Sequence, residues 1–396
     1  MTKTNKQQKG TPRKPSIVEN LLLGCNIEET PKLIPGVFLA VVLVIAVIFL
    51  VNAINSALGF KGLISPILIV IIVGILIRNI FKIPAVFEPG ISFCLKKLLR
   101  LGIIFMGIRL SIFDVFQIGA WGIPIVVICV LAGLVVTIYF GRLLKVPARL
   151  ATLIAVGTGI CGASAIVATA PGIEAKDEEV TYAVGTITLF GIVALVTYPF
   201  IAHWLFSGDI NMIGLFIGTS IHETAQVAAS GLIYDQTFPT IANPTVADIA
   251  VVTKLVRNVL MALVIPAMTL IYARQNGSTQ DAGPAYKKIL RLFPIFILGF
   301  ILFAVIRSIG DAGLQQGGGA FGLWDANNWK LITSGIKDWS GYILATAMAG
   351  VGLGTSFRSM RVIGIRPFFV GLCAAVTVGV IAVIMVFLLG PLVNIS

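Results

Sequence analysis

The sequence predicts an all-α polytopic membrane protein with about 11 transmembrane helices: one extra N-terminal helix plus two inverted five-helix repeats with discontinuous crossing helices. Three observations predict it. Of the 396 residues, 57% are hydrophobic and only 12% are charged, against roughly 45–50% and about 25% in soluble domains. The apolar residues gather in runs that supply about eleven spans at roughly 20 residues each. Short sequence patterns also recur in the same order in the two halves, and two of them are glycine-rich stretches inside apolar runs.

The elements follow in order. Residues 1–34 carry Lys3, Lys6, Lys9, Arg13, Lys14 and Lys32 without the apolar core of a signal peptide, so they read as a cytoplasmic tail. An additional transmembrane helix covers 35–58. Repeat 1, 65–202, takes the runs 65–80, 92–113, 120–141, 148–171 and 180–202. Repeat 2, 210–390, takes 210–230, 246–273, 288–308, 338–357 and 367–390. The stretch 309–337, with Gly317, Gly318 and Gly319, reads as a flexible external connector. With the N-terminus inside, twenty-one lysines and arginines fall on the cytoplasmic side and six outside. That bias places the chain in a cell (inner) membrane, multi-pass, with its N-terminus cytoplasmic and its C-terminus outside.

Charge and cysteine content exclude several classes. The formal charge of +12 is dispersed among loops with no basic-aromatic module, which argues against nucleic acid. Cys25, Cys94, Cys129, Cys161 and Cys373 are odd in number, lack CxxC spacing and read as small core residues. No phosphate loop of the GxxxxGK[ST] type is present, so the chain carries no ATP motor. His222-Glu223-Thr224-Ala225-Gln226 brushes against the HExxH zinc motif, but Gln226 replaces the second histidine, so no metal ligand set and no cofactor is expected. An intramembrane enzyme would have only Cys161 as a tempting thiol, with no base assigned to it; the chain reads as a non-enzyme.

The duplication rests on three matches. Gly74-Ile75-Leu76-Ile77-Arg78-Asn79 resembles Gly218-Thr219-Ser220-Ile221-His222-Glu223, Lys97-Leu98-Leu99-Arg100 resembles Lys254-Leu255-Val256-Arg257, and VGTGICGASAI (156–166) resembles AMAGVGLGTSF (347–357). Units of five spans are odd in number, so the second copy is inserted inverted. Glycine inside a helix costs about 1 kcal/mol relative to alanine, so two clusters of three need a reason. Close packing of helices is one. The sharper reading breaks both helices at mid-membrane, near 157–163 and 350–355, because the glycines recur every second residue.

A half-helix that begins inside the membrane offers unpaired N–H groups and the positive end of a dipole, which suits an anion. Candidate substrate-binding residues are therefore Thr158, Gly159, Gly162, Ala163, Ser164, Gly354, Thr355 and Ser356. Neither glycine-rich run contains a carboxylate, which argues against a cation. Lys254 and Arg257 share a helix face at i and i+3 inside a span and read as facing a cavity, where a guanidinium matches an oxyanion; Lys97 and Arg100 face a cavity or snorkel to the interface. His222, Glu223 and Gln226 form the remaining polar concentration. They are either a coupling group for a proton or ion, or a helix end at the surface.

At these residues the sequence resembles the sulfate exporter family of uncharacterised membrane proteins, placed in the bile acid, arsenite and riboflavin transporter superfamily. The resemblance runs through LLRLGIIFMGIRLSIFDV (98–115), GTGICGASAIVATAPGI (157–173), GTSIHETAQVAASG (218–231) and TKLVRNVLMALVIP (253–266). It implies two inverted five-helix repeats, a panel and a core domain, discontinuous crossing helices and elevator-like alternating access. The expected function is a secondary active transporter of a small anion, of the sulfate, sulfite or organosulfonate class, held at the crossing of two broken helices. The alternative is an anion channel using the same helix ends. Membrane lipid surrounds the chain, a coupling proton or sodium ion and a homodimer are open, and no nucleic-acid partner is expected.

Overall fold

A chain that leaves water has to pair every backbone N–H and C=O within itself, and the α-helix does this residue by residue. The computed structural model describes residues 27–58, 65–239, 242–276, 295–356 and 365–392. Among these the only extended pairing is the bridge between Ala320 and Trp324; nearly all the rest is helix. The helices are α1 (Ile34–Leu58), α2 (Pro66–Ile80), α3, α4 (Ile112–Leu143), α5 (Ala148–Gly159), α6 (Ala163–Thr169), α7 (Asp177–Leu205), α8 (Ile210–Ser220), α9 (Thr224–Thr237), α10 (Val246–Val259), α11 (Met261–Asn276), α12 (Phe296–Gln315), α13 (Ala326–Gly354) and α14 (Ile365–Leu389). The helix α3 joins Glu88–Phe93, a π segment Cys94–Leu98 and Leu99–Met106. A 3-10 turn, Ala170–Ile173, continues α6.

Helix starts follow local chemistry. Ser65, Ser111, Asp209, Thr245 and Asp325 each cap the helix that follows with a side-chain oxygen, and Ser111 with Asp114, like Thr245 with Asp248, closes a reciprocal capping box. Among the described residues five helices, α1, α4, α7, α12 and α14, are long and apolar enough to cross a membrane, and α10 with α11, bent by 40° at their junction, make a sixth if they form one span. The chain is an all-α, multi-pass membrane protein.

The helices fall into two bodies. In the first, α13 packs along α2 and α3, with α1 and α12 beside them; in the second, α10 lies against α8, α9 and α4, and α14, α5 and α7 complete the layer. The bodies meet along α12–α4 and α2–α9. Polar links cross the seam: Ser65 Oγ donates to Gln236 Oε1 at 2.7 Å, Ile112 N–H donates to Ser308 Oγ at 2.8 Å, and the buried pair Arg109–Asp248 stands at 3.7 Å.

Two expectations are corrected. The stretch 309–337 is not a flexible connector, because α12 runs to Gln315 and α13 starts at Ala326. Trp329 pins the two together: its Nε1 donates to Asp311 Oδ1 at 2.7 Å and its ring covers Gly310, where a Cβ would lie 2.3 Å from it. Polar letters there mark an amphipathic helix end, not a loop. The second correction concerns the run 350–355: its glycines stay helical as far as Gly354, where α13 ends at an extended Thr355, and the residues after Ser356 up to 364 lie outside the described ones. The helix α13 continues through Gly350 and Gly352 to Gly354. Residues two apart on a helix point to nearly opposite sides, and here the two sides have different neighbours. A Cβ on Gly350 would lie 2.7 Å from Cys94 of α3, and one on Gly352 would lie 2.6 Å from the Ile71 carbonyl of α2. The every-second spacing is the mark of a helix squeezed between two others.

Residues 1–26 of the expected tail, with Cys25, and the orientation positions Lys61, Lys287, Lys288, Arg291, Arg358 and Arg361 lie outside the described residues. If Gly352 is there for close packing, Gly352→Val forces α2 and α13 apart and costs about 1–3 kcal/mol. Gly335→Ala, in open space on the same helix, leaves stability unchanged or raises it. Thermal unfolding of the purified protein in detergent reads both; equal melting temperatures for the two variants would contradict this account.

Candidate functional site

A helix that stops inside a protein leaves its last carbonyls and first amides without partners. Two helices stop this way here. The first break separates α5 from α6 at Ile160-Cys161-Gly162, and Gly162 turns the chain with φ +71° and ψ −131°, a conformation that favours glycine. The second separates α8 from α9 at Ile221-His222-Glu223, in extended backbone. At 12, 7, 11 and 14 residues, none of these four pieces reaches across a hydrocarbon core of about 30 Å at 1.5 Å per residue.

The carbonyl ends of α5 and α8 converge on two cations from α10. Lys254 Nζ donates to the carbonyls of Ile160 at 2.9 Å, Ile221 at 2.8 Å and His222 at 2.5 Å. Arg257 donates from Nε to Gly159 at 2.8 Å, from Nη1 to Thr219 at 2.7 Å and to Ile221 at 3.0 Å, and from Nη2 to Thr158. The exposure of Lys254 is 0% and of Arg257 1%, so neither snorkels. Each cation sits where a helix dipole is negative. The α10 helix reaches this position because Gly214 and Gly218 of α8 and Gly231 of α9 leave room for it; a Cβ on Gly218 would lie 2.5 Å from the Ala250 carbonyl.

A carboxylate stands between the amide ends. Glu223 precedes α9, and its backbone N–H donates to Gln226 Oε1 at 3.3 Å. The same carboxylate accepts from the Ala163 N–H at the start of α6, at 3.4 Å. Gln226 Nε2 then reaches the Thr188 carbonyl of α7 at 3.4 Å, over Gly191, where a Cβ would lie 2.0 Å from Oε1. Close by, Thr158 Oγ1, Thr219 Oγ1, His222 Nδ1 and Asn258 Oδ1 are buried without a hydrogen-bond partner. Asn258 Nδ2 donates to Thr224 Oγ1 at 3.1 Å.

Thr158, Gly159, Gly162, Ala163, Lys254, Arg257, His222, Glu223 and Gln226 thus meet at one crossing, with Ser164 exposed beside it. Gly354, Thr355 and Ser356 stand apart from it, at the end of α13. There they face Val180, Thr181, Val184, Gly185 and Thr188 of α7 across a cavity of about 330 Å³ between the two bodies. The expectation of a crossing free of carboxylates is corrected: neither glycine-rich run holds one, but Glu223 enters from the second break. The four basic residues also part company, since Arg100 is exposed, 5.9 Å over the Phe296 ring, while Lys254 and Arg257 are enclosed.

Sequence reasoning missed Thr219, Asn258 and the second break itself, although the polar letters following Gly218 inside an apolar run marked the place. It also missed Asp235, whose two oxygens accept from the Val246 and Ala247 amides at 3.0 and 3.1 Å and anchor the start of α10. Among the described residues no group of three His, Cys, Asp or Glu is placed to hold a metal. Cys161 Sγ rests 3.4 Å from Met261 Sδ.

Comparison with known proteins agrees with a membrane protein. Residues 35–371 match the family model described as conserved hypothetical protein 698, and the chain belongs to that family. It is 30% identical over 314 residues to a UPF0324 membrane protein of Fusobacterium nucleatum, covering 79% of this chain and 88% of the relative. It is 33% identical over 313 residues to one of Corynebacterium glutamicum, covering 78% and 81%, and 32% identical over 343 residues to one of Pasteurella multocida, covering 84% and 92%.

Removing the guanidinium strips four hydrogen bonds from buried carbonyls. Each buried group left unpaired costs about 1–3 kcal/mol, so Arg257→Ala destabilises the protein by about 3 kcal/mol or more. Arg257→Lys restores only part, because an ammonium cannot span the carbonyls of both breaks as the planar fork does. Denaturation in mixed micelles measures the ranking wild type, Lys, Ala.

Proposed function

Starting from membership of this membrane-protein family, we propose that the chain is a secondary active transporter of a small anion of the sulfate, sulfite or organosulfonate class. In this reading it crosses a cell (inner) membrane eleven times, as one additional helix and two inverted five-helix sets, with its N-terminus cytoplasmic. The resemblance to the sulfate exporter family and its superfamily supports the same arrangement.

One observation carries the reading: two interrupted helices cross beside a cavity that lies between two weakly joined bodies. Unwound backbone at membrane depth is tolerated where it is buried or lines a cavity, and transporters place substrate at such points. Alternating access is then the movement of the body holding the crossing against the body of α1, α2, α3, α12 and α13. The anion class is supported by charge. Two cations face one carboxylate at the crossing, which leaves the node net positive, and no carboxylate lines the cavity, where Thr188 and Ser356 stand beside Thr181 and Thr355, whose hydroxyls donate to the Asp177 and Val351 carbonyls. His222, Glu223 and Gln226 are the coupling groups in this scheme, with a proton as the coupling ion.

Reconstituted protein is expected to take up radiolabelled sulfate, sulfite or methanesulfonate saturably and to show counterflow, with Thr188→Phe, which fills the cavity, reducing uptake at least about tenfold while the protein stays monodisperse. Electrical currents far above carrier turnover, without counterflow, would favour a channel. A C-terminal alkaline phosphatase fusion is expected to be active in cells, and an inactive one would reverse the proposed orientation.

A further inference from the structure

Two half-helices that continue one another across a break meet only at their ends, whereas two that fold back lie side by side. Both interrupted pairs make contacts of the second kind. In the first, a Cβ on Gly157, before the break, would lie 2.7 Å from Ile166, after it. Val146 and Leu150, at the start of α5, share a buried cluster with Ala170 and Ile173, beyond α6. In the second, both outer ends lie against the start of α10. A Cβ on Gly214 of α8 would lie 2.6 Å from Ile249, and one on Gly231 of α9 would lie 2.6 Å from Ala247. The break between them sits further along α10, at Lys254.

The course of α10 and α11 shows that the two folds open in opposite directions. The α8–α9 pair opens toward Val246, whose amide Asp235 accepts. The α5–α6 pair opens toward the end of α11, where a Cβ on Gly172 would lie 2.8 Å from Thr269 and where Arg142, just before α5, donates to Gln275. Their tips meet between these ends, at Lys254 and Arg257. The helix α7, which joins the two pairs, agrees. It runs parallel to α14, with Thr186 beside Gly371, Tyr198 beside Gly379 and Phe206 beside Phe387.

We infer that α5–α6 and α8–α9 are re-entrant hairpins that enter the membrane from opposite faces and turn back at mid-depth, tip to tip. Of the eleven apolar runs, two then turn back and nine cross, which revises the count proposed above. Nine is also odd, so both termini keep their proposed sides. Pieces too short to span need not span when folded back, and their unwound tips are tolerated because protein buries them. Two links change sides. Residues 174–176 join the face of the N-terminus, which brings Lys176 to the face rich in lysine and arginine; residues 206–209 join the opposite face. The cavity belongs to the N-terminal face as well, since Gly36 at the start of α1 and Gly354 at the end of α13 both lie against the first turns of α3. Its lining residue Thr188 meets Gln226 of the second hairpin, and the end of that hairpin is held to α2 by Ser65–Gln236. In the transporter reading, on which this last point alone rests, the second hairpin is the closed gate of the far face.

Three exposed lysines of the unaltered protein test the hairpins: Lys145, Lys176 and Lys330. Membrane vesicles of either orientation are treated with an amine reagent that cannot cross lipid, and the modified sites are read by mass spectrometry. The expected result is that Lys176 is modified wherever Lys145 is and protected wherever Lys145 is, with Lys330 showing the opposite pattern. If α5–α6 and α8–α9 both cross, Lys176 follows Lys330 instead, and the inference falls. If all three are modified together, α8–α9 crosses, and the inference falls as well. Neither outcome touches the transporter reading, which the uptake measurement judges separately.

Discussion

A helix end away from water must find partners for its orphan backbone groups, and the rest of this structure depends on how that is met twice at one place. The carbonyls of Thr158, Gly159, Ile160, Thr219, Ile221 and His222 would each be left without a donor by the two breaks. Lys254 and Arg257 supply donors to all six. Charge of the right sign stands at each kind of end, cations at the carbonyls and a carboxylate at the amides, so dipoles that would otherwise face apolar surroundings are neutralised locally. Because both cations come from a single helix, three residues apart on one face, the two broken helices and α10 are tied into one piece.

That piece is built with glycine. The α10 helix could not lie close enough to offer its side chains to both breaks if Gly214, Gly218 and Gly231 carried a Cβ. In the other body, Gly74, Gly350 and Gly352 do the same service for α2, α3 and α13. Within lipid there is little hydrophobic drive for helices to associate, so close van der Waals approach does much of the work. Each body is tightly knit in this way, while the seam between them rests on a few polar links and leaves a cavity open at the end of α13.

Helix positions were legible in the sequence because apolar runs in a membrane protein have few alternatives, and Gly157, Gly159 and Gly162 correctly marked a break. The other glycine run is helical as far as Gly354, where α13 ends; its spacing by two reflects two near neighbours, whereas Gly162 carries a positive φ at an interruption. The second break among the described residues lies where apolar sequence passes into His222 and Glu223, and one-dimensional reasoning could not separate a break from a surface end there. Lys254 and Arg257 were legible as enclosed cations, but not as donors to backbone, since carbonyls are invisible in a string of side chains. For the same reason the carboxylate in the crossing, contributed by a neighbouring helix, escaped a search confined to the glycine-rich runs.

The buried pair Arg109–Asp248 joins the bodies at the far end of α3, whereas the cavity edge at Gly354 lies near Ile91 and Leu95 at its beginning. At 1.5 Å per residue the two are separated by roughly 25 Å along that helix. In the transporter proposed above, a tilt about that pair displaces Thr355 and Ser356 the most, so the seam widens first on the side of the cavity.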